Sequence, residues 1–138
     1  VIKISSGNIW DESSAHIVIP VSCVGVMGAG LAKQCAQRHP DVLKSYKIAC
    51  ASKEIRPGHP LMIKKFIMFP TKDHWRDPSQ LVWIEDGLRQ IPELIEGIQK
   101  LAIPRIGCGL GELDWEHQVK PLCFRLLWVL PTDIVIYE

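Results

Sequence analysis

The stretch AHIVIPVS (Ala15 to Ser22) is apolar without alternation. A strand with one face in water alternates apolar and polar residues, so a continuous run belongs to a strand buried on both faces. Such a strand needs a layer of structure on each side. KFIMFP and LAIPRI read as further strands of this kind, LMI is a short one, and VIKIS and DIVIYE open and close the chain in the same way. Helical periods fill the gaps. GLAKQCAQRH is a helix stopped by Pro40, and PDVLKSYKIACAS is a second with proline in its first turn. SQLVWIEDGLRQIPELIEGIQK sets Leu81, Ile84, Leu88, Ile91, Leu94, Ile95 and Ile98 at helical spacing, and Pro92 inside it predicts a kink or a split. DWEHQVKPLCFRLLWVL is a last helix capped by Asp114, with Pro121 in its interior. RPGHP is a turn. Strands alternating with helices give an α/β fold, helices on both sides of a mixed, largely parallel sheet.

The 138 residues suit one domain spanning 1–138, with no repeat, linker or low-complexity tract. The net charge of +1 gives no global basic field, so tight non-specific nucleic-acid binding is not expected from total charge. No apolar run reaches the roughly 18 residues of a membrane span, and no signal peptide opens the sequence, so no membrane partner is expected. The chain opens at Val1 without a methionine, and further residues are expected before it. Its five cysteines, Cys23, Cys35, Cys50, Cys108 and Cys123, are odd in number, scattered and free of CxxC pairs. That argues against a disulfide framework or a zinc site and for a cytoplasmic home. His16, His39, His59 and His117 show no metal spacing. No metal and no cofactor are expected.

Two glycine-rich loops follow buried strands. CVGVMGAG comes after Ser22, and GCGLGELDW (Gly107 to Trp115) comes after LAIPRI; both lead into helices. In open α/β sheets ligands bind beyond the carboxyl ends of the strands. Glycines let backbone N–H groups converge on one point, and a following helix adds the positive end of its dipole. Two such loops can clamp a diphosphate from both sides. Neither nucleotide signature is present: there is no GxxxxGK[ST], and GVMGAG is not GxGxxG.

SGNIW, VGVMGAGLA, FPTKDHWR, IPRIGCGLGELDWE and IVIYE, in this order along nearly the whole chain, resemble the macrodomain family, the ADP-ribose-binding fold. The likeness is to the branch containing terminal ADP-ribose protein glycohydrolase and the DNA ADP-ribosyl glycohydrolase antitoxins. The resemblance implies a three-layer α/β/α macrodomain that binds ADP-ribose or an ADP-ribosylated substrate as a monomer. It implies roles as well. Asn8 stands where the family carries an acid that accepts from the adenine amino group; its carbonyl accepts without charge. The Ile9 amide contacts adenine, and Tyr137 packs on it. Gly25, Val26, Met27, Gly28 and Gly30, with Gly107, Cys108, Gly109, Leu110 and Gly111, hold the diphosphate and distal ribose. Ser22 lies near that ribose, and Cys23 and Thr71 complete the ligand-binding set.

Lys72, in FPTKDHW at a strand's carboxyl end, matches the branch's catalytic lysine. A neutral amine can attack the anomeric C1″ of ADP-ribose, displace the acceptor and leave a sugar adduct for water to resolve. Burial, or the nearby Arg76 or His74, would favour the neutral amine. A departure concerns the acceptor. The protein-directed enzyme has an acid directly after GCGL, whereas this chain has Gly111, as the DNA-directed branch does. The acceptor expected is therefore a DNA base, with His74 and Trp75 on the acceptor side. The alternatives are a non-catalytic reader of ADP-ribose and a phosphatase acting on ADP-ribose 1″-phosphate.

Overall fold

The computed structural model describes residues 1–12 and 15–138. It has six strands and four α-helices: β1 (Ile2–Ser5), β2 (His16–Val21), α1 (Gly30–Arg38), α2 (Pro40–Ala51), β3 (Leu61–Ile63), β4 (Phe66–Pro70), α3 (Leu81–Leu94), β5 (Lys100–Ile103), α4 (Lys120–Leu127) and β6 (Asp133–Tyr137). The strands form one sheet in the order β1-β6-β5-β2-β4-β3. All pairings are parallel except that of β3 with β4. The sheet is mixed and largely parallel, as the apolar runs predict.

Each central strand feeds two cores, because successive side chains point to opposite faces. Ile17, Ile19 and Val21 of β2, with Phe66 and Met68 of β4, pack against Ala32 and Cys35 of α1 and Val42, Tyr46 and Ala49 of α2. Val18, Ile67, Phe69, Leu101, Ile103, Ile134 and Ile136 pack on the other side against Ile84, Leu88 and Ile91 of α3 and Leu122, Cys123 and Leu127 of α4. Burying one such aliphatic or aromatic side chain stabilises by about 1.5–3 kcal/mol. A single polar substitution in a central strand therefore strikes one core or the other.

Two prolines stand inside helical segments, as the sequence predicts. α3 is neither split nor cut short at Pro92; it runs on to Leu94, two residues beyond it. Proline lacks the N–H that would reach the Leu88 carbonyl, and only Glu93 and Leu94 follow it before the helix ends. At the last helix, Pro121 is accommodated differently. The chain from Trp115 to Val119 forms a wide turn in which the Val119 N–H donates to the Asp114 carbonyl (3.2 Å) and the Lys120 N–H to the Trp115 carbonyl. This i→i+5 pattern shifts the ladder, and Pro121 then falls in the first turn of α4, where no N–H is required. Asp114 caps the turn as expected, its carboxylate accepting from the His117 N–H (3.1 Å). Among the described residues no helix is long and apolar enough to cross a membrane, and all five cysteines are free.

Candidate functional site

The carboxyl ends of β1, β2, β4, β5 and β6 lie along one edge of the sheet, because these strands are parallel. The segments leaving them line two adjoining cavities of about 850 Å3 each. Gly30, Leu31, Arg105 and Cys108 belong to both walls, so the cavities form one cleft with a waist.

The first cavity is bounded by Asn8, Ile9 and Trp10 after β1, by Leu31, Gln34 and Arg38 of α1, and by Gly109 and Tyr137. The Asn8 side-chain oxygen, Oδ1, accepts from the Trp10 N–H (3.0 Å), capping a short turn over Ile9–Asp11. One lone pair of that oxygen is thereby used, and the other is open to a ligand. The Tyr137 hydroxyl donates to Glu12 (2.7 Å), whose second oxygen takes the Lys100 ammonium at 2.7 Å. These two bonds hold the Glu12 carboxyl below the usual carboxylate range and fix the Tyr137 ring at the wall. Trp10 is fixed likewise: its indole N–H donates to Gln34 (2.7 Å) and the Arg38 guanidinium lies 4.5 Å from its ring.

The second cavity is bounded by Ser22, Val26, Gly28 and Ala29, by Thr71, Lys72, Trp75 and Arg76, and by Gly107, Leu110 and Gly111. Its floor is the start of α1. The N-cap there is Ala29, which offers no side chain to the first N–H groups of the helix. Those donors face the cavity and make it suited to an anion. The second loop is closed on itself by Glu112 N–H to the Gly109 carbonyl (3.0 Å) and Leu113 N–H to the Gly107 carbonyl (3.0 Å). Gly107 has φ +76°, and a side chain there would press on Ile84 and Leu113 at 3.0 Å. A Cβ on Gly111 would come within 2.5 Å of the Ser79 hydroxyl, so this position cannot carry an acid without displacing Ser79. The Ser22 and Ser79 hydroxyls are buried without a protein partner.

Lys72 enters this cavity from the end of β4, half-buried, with its ammonium donating to the Trp75 carbonyl (3.2 Å). The segment is held against the first loop by Cys23, whose N–H donates to the Asp73 carbonyl (2.9 Å) and whose thiol donates to the Lys72 carbonyl (3.3 Å). Burial pushes the Cys23 thiol up to about 12, so it serves as a donor and not as a nucleophile. The Tyr46 hydroxyl donates to the Ser22 carbonyl (2.7 Å) from below.

Of the residues singled out in the sequence, Asn8, Ile9, Gly109 and Tyr137 line the first cavity. Ser22, Val26, Gly28, Thr71, Lys72, Trp75, Gly107, Leu110 and Gly111 line the second, and Gly30 and Cys108 line both. Four do not reach a wall. Cys23 ties the loops together, and Gly25 packs against Lys47. Met27 is buried in the α1–α2 core. The His74 ring lies tilted beside that of Trp75, centroids 5.3 Å apart, and accepts from the Arg76 N–H. The sequence reading missed Arg105 at the waist and the α1 face of Leu31, Gln34 and Arg38. The signal for that face was present: these positions recur every three or four residues beside the glycine loop. Among the described residues no cluster of His, Cys, Asp or Glu has the makings of a metal site.

Comparison with known proteins bears on this cleft. The Macro domain family model matches residues 18–121. A DNA ADP-ribosyl glycohydrolase of Mycobacterium tuberculosis is 35% identical, the match covering 99% of this chain and 42% of that protein. The solved macrodomain of Mycobacterium tuberculosis DarG has a TM-score of 0.94 at 35% identity, covering 100% of this chain and 97% of that one. Thermosipho africanus DarTG in complex with ADP-ribose has a TM-score of 0.90 at 36% identity, covering 99% of this chain and 41% of that one. The chain spans about two-fifths of the length of the curated relatives it matches.

Proposed function

The chain belongs to the Macro domain family, and on that premise we propose that it is an ADP-ribosyl glycohydrolase that releases ADP-ribose from a modified DNA base. The observation that carries this reading is the position of Lys72. Among the described residues it is the one primary amine on either wall, and it stands in the same cavity as the two glycine loops and the open N-terminus of α1. Adenine lies in the first cavity between Asn8, Ile9 and Tyr137. The diphosphate crosses the waist, and the distal ribose reaches the second cavity. The neutral Lys72 amine attacks C1″, the bond from C1″ to the acceptor nitrogen breaks, and the acceptor leaves with a proton. Water then cleaves the sugar–lysine bond, which frees ADP-ribose and restores the amine. The backbone N–H groups of the loops hold the phosphates throughout and need no rearrangement during the reaction. Relatives named DNA ADP-ribosyl glycohydrolase support the choice of acceptor, as does Gly111, which leaves the acceptor side without an acid.

The test is release of ADP-ribose from ADP-ribosylated DNA, ADP-ribosylated protein and ADP-ribose 1″-phosphate. The DNA substrate should be turned over, Lys72→Ala should abolish turnover, and ADP-ribose should still bind because the loops supply the phosphate contacts. Lys72→Arg should be equally inactive, since a guanidinium keeps its proton. An active Lys72→Arg enzyme would remove the covalent role. The second reading is a non-catalytic reader. One observation favours it: the Lys72 ammonium is engaged with the Trp75 carbonyl and must leave it to attack. Binding of ADP-ribose without turnover of any of the three substrates would establish the reader.

A further inference from the structure

Charge in this protein is sorted by layer. Residues 30–65, which carry α1, α2 and β3, hold eight lysines and arginines against two acids, a net +6 in a chain whose total is +1. Residues 81–138, which carry α3 and α4, hold five against nine, a net −4. The two sides also treat their cations differently. On the α3–α4 side Arg89 and Arg125 pair with Glu85, and Lys120 pairs with Glu116 and Glu138. On the α1–α2 side Lys64 pairs with Asp41. Lys33, Lys44, Lys47 and Lys53 are exposed and form no ion pair among the described residues.

Three of these amines lead to the cleft. Lys44 and Lys47 are one turn apart on α2, so they share a face. The helix runs towards the site: Tyr46 on its buried side reaches the Ser22 carbonyl, and the Lys47 side chain lies 3.6 Å from where a Cβ on Gly25 would stand. Lys53 follows the helix. Its N–H donates to the Cys50 carbonyl (3.2 Å), which holds Lys53 against the last turn of α2, beyond Lys47. From Cys23 the contact passes through the Asp73 carbonyl to the segment of Trp75 and Arg76. Trp75 is 48% exposed, with the Arg76 guanidinium 4.8 Å from its ring.

We propose that Lys44, Lys47 and Lys53 form a docking track for the single nucleic-acid strand that carries the modified base. The strand's phosphates lie along α2 and its modified nucleotide stands at Lys72. The inference rests on the glycohydrolase reading for the last of these placements. A row of exposed, unpaired amines matches the repeated phosphates of a nucleic-acid strand. A single strand fits better than a duplex because the reacting base must leave the stack to enter the second cavity. The exposed Trp75 gives a neighbouring base a ring to stack on.

The experiment compares two triple variants with the same change in net charge. Lys44→Gln, Lys47→Gln and Lys53→Gln neutralise the track. Lys3→Gln, Arg89→Gln and Arg125→Gln neutralise cations elsewhere. On a short ADP-ribosylated single strand at low salt, the track variant should raise KM roughly tenfold or more with kcat unchanged, and the other triple should change KM little. Turnover of an ADP-ribosylated mononucleotide should be the same in all three proteins. Binding of an unmodified single strand is followed in parallel. There the slope of log affinity against log salt should fall by about 2 in the track variant, the loss of three phosphate contacts. Equal effects of the two triples, or an unchanged slope, would overturn the track. Lack of turnover by the wild type would defeat the glycohydrolase reading alone, because unmodified-strand binding still judges the track.

Discussion

Asn8 shows how one residue serves the fold and the proposed ligand together. Its side-chain oxygen caps the turn that carries Ile9 and Trp10, and the same oxygen faces the first cavity. An aspartate keeps the cap and adds a charge to any bond from an adenine amino group. Asn8→Asp should therefore tighten ADP-ribose by roughly 1 kcal/mol, the difference between neutral and charge-assisted hydrogen bonds. Calorimetry would read it, and unchanged or weaker affinity would mean that the base is read elsewhere. At this scale the sequence was informative where a residue sits in a local motif. Asn8, Lys72 and the glycines all lie within a few positions of a strand end. It was silent where a residue reaches the cleft by long-range folding. Ser79 lies more than thirty positions from Gly111 in the chain, yet its hydroxyl fills the space a side chain at 111 would need.

Among the elements, α3 depends on an approach to the sheet that only a missing side chain permits. A Cβ on Gly87 would lie 2.5 Å from the ring of Phe69 on β4, and both residues are buried. Alanine is the better helix former in isolation, so propensity favours Gly87→Ala. Packing opposes it, because the ring has no room to retreat. Gly87→Ala should destabilise by about 2 kcal/mol and lower Tm by on the order of 8 °C in a thermal melt. A rise in Tm would show that α3 stands off the sheet. The helical period of α3 was legible in its leucines and isoleucines, but the role of Gly87 was not, since nothing local distinguishes it. The prolines teach the same lesson from the other side. Pro121 was read as interior to a helix. It is tolerated because the wide turn from Asp114 shifts the ladder by one residue, and no periodicity of apolar residues announces such a shift.

For the molecule as a whole, the apolar runs gave the layered architecture, because a strand buried on both faces leaves few alternatives. Total charge gave a misleading picture. A sum of +1 conceals a basic layer and an acidic one, and only the fold says which helices share a side. Charge also sets the response to acid. Glu12, held by Lys100 and Tyr137, and Glu138, held by Lys120 and Trp115, both titrate below the usual carboxylate range. Groups lowered in this way stabilise fully above the ordinary value near 4.5, and the contribution is lost as pH falls through the folded value. Tm should thus decline below about pH 5. Glu12→Gln should start about 3 °C lower at neutral pH and lose less on acidification, so the two curves converge. Parallel curves would show that Glu12 contributes nothing through its charge.

The two loops that border the second cavity leave Val26 and Leu110 exposed beside glycines that carry no side chain. The consequence is evolutionary. Where a nucleotide is held as proposed, by main-chain groups, selection acts on backbone conformation, and the residues around the loops can drift. Trp75, Arg76, Leu110 and the lysines of α2 are then free to change under selection for a different acceptor without disturbing the main chain of the loops. A lineage could exchange its target by a handful of surface replacements and inherit the rest.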